Sequence, residues 1–147
     1  MTRTSRFEIF DGIVSWVLGI SLIVSAIPHL GNPYFFLGSV YAYQMVCPNI
    51  GQLVVMVLPV LQLFLAVCLI GRFFVDVANF LTLGCFLAFA TVQTTAYFRG
   101  LDISCGCFGP GYDDPIGWFS LSLVYGLLTL SVIRNAIFLF SRNNEAH

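Results

Sequence analysis

The reactive chemistry available to this 147-residue chain rests on five cysteines, Cys47, Cys68, Cys85, Cys105 and Cys107. The thiolate is a nucleophile and a metal ligand, and a pair of thiols can store two electrons as a disulfide. Cys105 and Cys107 flank a single glycine inside residues 99–115, a stretch with four glycines and two prolines that reads as a shaped turn. Gly106 lets the backbone bend so that both thiols are presented together. A bridge within Cys-Gly-Cys closes a small, strained ring, and strained disulfides are the labile ones. The other pairing joins Cys47 to Cys105 or Cys107, and moving between the two is a thiol–disulfide exchange relay. The plain alternative is a static staple with one thiol left over. Cu(I) or zinc could use Cys47, Cys105, Cys107 and His29, but the Cys-x-Cys spacing is too short for a structural zinc pair and no second pair completes it; no metal site is expected.

The elements that position these thiols follow from composition. The chain is 59% hydrophobic and 9% charged, with a mean hydropathy of +0.92, no lysine and six arginines. So few charges cannot cover a water-facing surface, which in soluble chains needs about 25% charged residues. A net charge of −1 offers no basic stripe for nucleic acid. No charged residue lies between Asp11 and Arg72, between Asp76 and Arg99, or between Asp114 and Arg134. A helix crosses the hydrocarbon core with about 20 apolar residues. The first window is too long for one helix and is broken by Gly31-Asn32-Pro33 and Cys47-Pro48-Asn49. The expectation is an all-α integral membrane four-helix bundle forming a single domain over 1–147, with spans at 12–30, 51–70, 77–98 and 116–140 and connecting loops at 31–50 and 99–115. A cleaved signal peptide ending near Val24-Ser25-Ala26 is the rival for the first span.

Arginine distribution sets the orientation. Arg3, Arg6, Arg72, Arg134 and Arg142 fall on one side and Arg99 alone on the other, so the positive-inside rule puts both termini in the cytoplasm. Loops 31–50 and 99–115 then face outward, and three cysteines share that face although 58 residues separate Cys47 from Cys105. Outside the cytoplasm disulfides persist. Cys68 and Cys85 fall inside spans, where a thiol packs as a small inert hydrophobe.

Tyr34, Phe35, Phe36, Tyr41 and Tyr43 make the first loop aromatic and uncharged, which predicts a short helix in the headgroup plane that delivers Cys47. Tyr97, Phe98, Trp118 and Phe119 extend an aromatic belt, and such a rim could admit a quinone headgroup. Gln62 and Gln93 read as interhelical glue or as cavity-facing amides. Pro59 is expected to kink the second span, His29 to sit at an interface, and Arg134 to snorkel to the headgroups.

Cys105-Gly-Cys-Phe-Gly109, placed after the third span and the Arg99-Gly100 pair, resembles the signature of the MauE branch of the DoxX-like membrane proteins. Ile27-Pro-His-Leu-Gly-Asn-Pro-Tyr-Phe35, Leu58-Pro-Val-Leu-Gln-Leu63 and Ile116-Gly-Trp-Phe are similar to its other patterns, and the resemblance covers residues 12–135. The chain departs from the family at Gln62, where an acidic residue is usual, and at His29, which replaces a lysine. The resemblance implies a membrane thiol-redox protein that serves a periplasmic thioredoxin-like partner during maturation of methylamine dehydrogenase. Cys105 and Cys107 would then exchange disulfides with that partner. The place of Cys47 as resolving thiol rests on topology alone, and a quinone acceptor on analogy with other four-helix disulfide generators. The rival in another class is a non-catalytic anchor or assembly subunit whose CGCFG loop is structural.

Overall fold

A computed structural model describes residues 2–44, 47–101 and 117–145, and for residues 2–8, 48 and 141–145 the backbone alone. Among the described residues there are five helices and no strand: α1 (Thr2–Gly31), α2 (Pro33–Ala42), α3 (Pro48–Gly71), α4 (Val75–Phe98) and α5 (Trp118–Glu145). Four of them hold apolar segments long enough to cross a membrane, at Ile9–Gly31, Asn49–Gly71, Val75–Phe98 and Trp118–Phe140. The expected spans agree to within three residues at every end. The last begins two residues later than expected because the Gly117 carbonyl accepts the first helical bond, from Leu121 N–H at 3.1 Å.

Proline sets two of the helix starts. Pro33 and Pro48 occupy first-turn positions, where a missing N–H costs nothing and a fixed φ is already helical. Asn32 alone (φ −137°, ψ 74°) separates α1 from α2, so the first loop is a one-residue hinge followed by the short helix expected there. At the other end of the bundle α3 turns into α4 through Arg72-Phe73-Phe74. Arg72 and Phe74 both adopt left-handed backbone (φ 56° and 48°), a conformation that costs a side-chain-bearing residue about 1–2 kcal/mol.

The helices are sorted by face, with the apolar surface turned outward as lipid requires. On α3, Met56, Val60, Phe64 and Val67 are exposed, while Pro59, Gln62, Leu65, Ala66 and Leu69 are buried. On α1, Val14, Leu18, Leu22 and Ala26 are buried at helical spacing, so α1 is a full member of the core. In the ring order α1, α3, α4, α5, helix α1 packs chiefly on α3 and α4 on α5, and thinner seams join the two pairs. The short α2 lies over α3. Gly51 on α3 makes that approach close, since a Cβ there would stand 2.6 Å from the Tyr41 ring of α2.

Candidate functional site

Cys47 caps the start of α3. Its carbonyl accepts the N–H groups of Ile50 and Gly51, each at 3.0 Å. The thiol makes no capping bond, and the residue is solvent-exposed and free. The sequence requires the loop carrying Cys105 and Cys107 to leave the bundle at the same end, since it joins the C-terminus of α4 to the N-terminus of α5. Cys105 and Cys107 themselves lie outside the described residues. The root of their loop is tied to the root of the Cys47 segment: Arg99, just past α4, donates from Nη1 to the Tyr43 carbonyl at 3.1 Å, four residues before Cys47. Burial pushes the Tyr43 phenol up to about 12, so it is neutral beside the loops at any physiological pH.

Cys68 and Cys85 are buried among the helices, 4% and 9% exposed. Among the described residues no three His, Cys, Asp or Glu gather into a metal-sized group. The aromatic belt stands as expected: Phe98, Trp118 and Phe119 are each about four-fifths exposed, and Tyr97 packs edge-on against Trp118 at 5.8 Å between centroids.

His29 differs from the expectation of an interfacial histidine. It is 2% exposed and stacked on Phe36 of α2, with 3.8 Å between ring centroids and 19° between planes. Its ring makes no hydrogen bond to the described residues. The physical reason is α2, which folds back across the end of α1 and covers the ring. Beneath α2 lies a cavity of 470 Å³ bounded by α1–α4, with His29, Tyr43, Cys85 and Gln93 on its wall. A second cavity, of 240 Å³, lies between α1 and α5 and carries Ser25, Gln62 and Ser120. Phe89 lines both. The two membrane amides therefore combine the roles expected of them. Gln62 donates from Nε2 to Ser25 Oγ at 3.4 Å, and Ser120 Oγ donates to Gln93 Oε1 at 3.2 Å, each across two helices and each on a cavity wall.

Sequence reasoning missed the opposite end of the bundle. Asp11 accepts hydrogen bonds from Arg72 Nη2 and from Arg134 Nε, both at 2.8 Å. Arg134 does not snorkel. Its side chain is 2% exposed, because Asp11 supplies a partner inside the bundle and so removes the need to reach headgroups. Nearby, Asn135 Nδ2 donates to the Asn79 carbonyl at 3.3 Å, which joins α5 to α4. The available signal was that Asp11 and Arg134, opposite in sign, each mark the edge of a charge-free window at the same end of the bundle.

These features define a multi-pass, four-helix membrane protein with a clasped end and an aromatic, cysteine-bearing end. The class alone hosts many activities. The family is more specific: the model of the methylamine utilisation protein MauE matches residues 8–141, and the chain belongs to that family. Neither the search of curated proteins nor that of solved structures gives a match.

Proposed function

We propose that the chain is a thiol-redox protein of the inner membrane, with both termini in the cytoplasm, that exchanges disulfides with a periplasmic thioredoxin-like partner during maturation of an extracytoplasmic enzyme of methylamine utilisation. Five arginines against one support the orientation. Membership of the MauE family supports the pathway. The observation that carries the reading is the Arg99–Tyr43 bond, which fastens together the roots of the two segments that bear the outer thiols.

Cys105 and Cys107 are the exchanging pair and Cys47 the resolving thiol. A thiolate of the pair attacks one sulfur of the partner disulfide. A mixed disulfide forms, the partner bond breaks, and the second partner sulfur leaves as thiolate. Attack by Cys47 or by the other member of the pair then releases the partner as a dithiol. The chain is left with one new disulfide, two electrons and two protons having passed to the partner. Every step is reversible, so the same thiols serve either direction.

The test is alkylation-shift mass spectrometry on native membranes, with Cys47, Cys105 and Cys107 each replaced by Ser. The expected result is a pairing that changes between variants and one variant that traps a mixed disulfide with a soluble protein. A single fixed bridge with no trapped partner, or three reduced and unreactive thiols, would overturn the proposal in favour of an assembly anchor.

A further inference from the structure

We propose that the 470 Å³ cavity beneath α2 is a lateral binding site for an isoprenoid quinone, with the ring held at His29 and the tail leaving between α3 and α4 into lipid. The volume lies inside the range of about 300–1,000 Å³ typical of small-molecule sites. Along α4 the wall runs from Phe80 to Gln93, 13 residues, and is therefore about 20 Å long at 1.5 Å per residue. Its polar groups are not spread evenly. His29, Ser39, Tyr43 and Gln93 stand at the end near Cys47, while Leu58, Phe80 and Leu81 line the far part. Leu81, Gly84 and Ala88 form one exposed stripe of α4 that also borders the cavity, so the chamber opens sideways to the acyl chains. This is the shape of a polar head with an apolar tail.

Two further facts narrow the head. Among the described residues the wall contains no Asp, Glu, Lys or Arg. A phospholipid phosphate or a fatty-acid carboxylate would find no counter-charge among them, and burying an unpaired charge is costly. A bare acyl chain would offer nothing to the His29 ring, which is 2% exposed and makes no hydrogen bond to the described residues. Neutral imidazole offers one donor and one acceptor. The donor suits the carbonyl of an oxidised quinone ring, and the acceptor suits the hydroxyl of the reduced one. Phe36, stacked on His29, fixes the orientation of the imidazole.

Cys47 lies seven residues before Val54, a wall residue of α3, or about 10 Å along the helix. On the thiol-redox reading, and only there, the site supplies an acceptor: a dithiol loses two electrons and two protons and forms its S–S bond while the quinone becomes hydroquinone. Binding itself needs no thiol chemistry.

The experiment titrates decylubiquinone into the protein in phosphatidylcholine nanodiscs and measures retained quinone per chain after gel filtration, with empty discs as background. Saturable retention near one per chain is expected. His29→Leu removes the ring nitrogens, and one lost hydrogen bond corresponds to about tenfold weaker binding. Gly84→Phe places a ring where a Cβ meets nothing within 4 Å, so the backbone can stay while the chamber fills, and retention should fall to background. Retention no greater than in empty discs, or equal retention by wild type and both variants, would overturn the proposal. Phospholipid co-purifying without quinone would do the same. Because thiol state does not enter this titration, it and the alkylation test can fail independently.

Discussion

At one end of the bundle a single carboxylate holds two guanidinium groups at 2.8 Å and thereby joins α1, α5 and the α3–α4 turn. At the other end no ion pair occurs among the described residues. There, contact is made by rings, by a glycine that lets α2 settle on α3, by the Ser120–Gln93 hydrogen bond, and by one arginine bonded to a backbone carbonyl. The clasped end spends directional interactions to stay shut and carries two left-handed residues in a three-residue turn. The aromatic end leaves volume under α2, an exposed thiol, and a histidine with free hydrogen-bonding capacity. A bundle that must pass a reactant near one face while remaining folded gains from confining its strong ties to the other.

The sharpest way to break that comparison is at Asp11. Asp11→Asn leaves the Arg134 charge buried without a counter-charge, and breaking a buried pair from one side costs about 3–5 kcal/mol. Arg72→Ala removes the exposed partner of the same carboxylate and should cost less than about 1 kcal/mol. Thermal unfolding in detergent, followed by intrinsic fluorescence, checks both. Equal, small shifts for the two variants would mean that the clasp does not hold the bundle. Adding Arg134→Met to Asp11→Asn should recover part of the loss, since the orphaned charge is then gone.

A smaller effect is expected where α2 meets α3. Gly51→Leu drives a side chain into the Tyr41 ring, and overpacking of this kind costs about 1–3 kcal/mol. Gly38→Leu, on α2 itself, meets nothing within 4 Å and should stay within about 0.5 kcal/mol of wild type. If both variants melt alike, α2 is not seated on α3 by that contact. If only Gly51→Leu is affected, pairing it with Tyr41→Ala should restore most of the loss.

The four spans were legible because charge-free windows and the thickness of a bilayer fix them without knowledge of any contact. The short helix in the first loop was legible for a related reason: an aromatic, uncharged stretch bounded by Asn32-Pro33 and Cys47-Pro48 has both a start and a stop. The Asp11–Arg134 pair was not, because its members lie 123 residues apart and composition cannot say which charge turns inward. From sequence His29 reads as interfacial for the same reason; only the fold-back of α2 at Asn32 reveals that its ring is covered. Of the thiol site, the sequence gives the shared face through topology. The structure adds the exposed Cys47 and the tie between loop roots, while Cys105 and Cys107 fall outside the described residues.

That tie supplies the smallest effect on stability and the one closest to function. Arg99 is exposed and its side chain bonds one carbonyl among the described residues, so Arg99→Ala should lower stability by no more than about 1 kcal/mol. If the bond aligns the two segments, the same 1 kcal/mol appears in the pairing equilibrium, where it amounts to about fivefold. The fraction of Cys47 found in a bridge to Cys105 or Cys107 should fall by about that factor relative to bridging within Cys-Gly-Cys, read by mass spectrometry of non-reduced digests. A double variant with Tyr43→Ala should add little, because the acceptor is the backbone carbonyl and survives the change. An unaltered distribution of bridges in Arg99→Ala would mean that the thiols find one another without the tie. The aromatic end would then be organised by its rings alone, and the observation that carries the proposed exchange role would be gone.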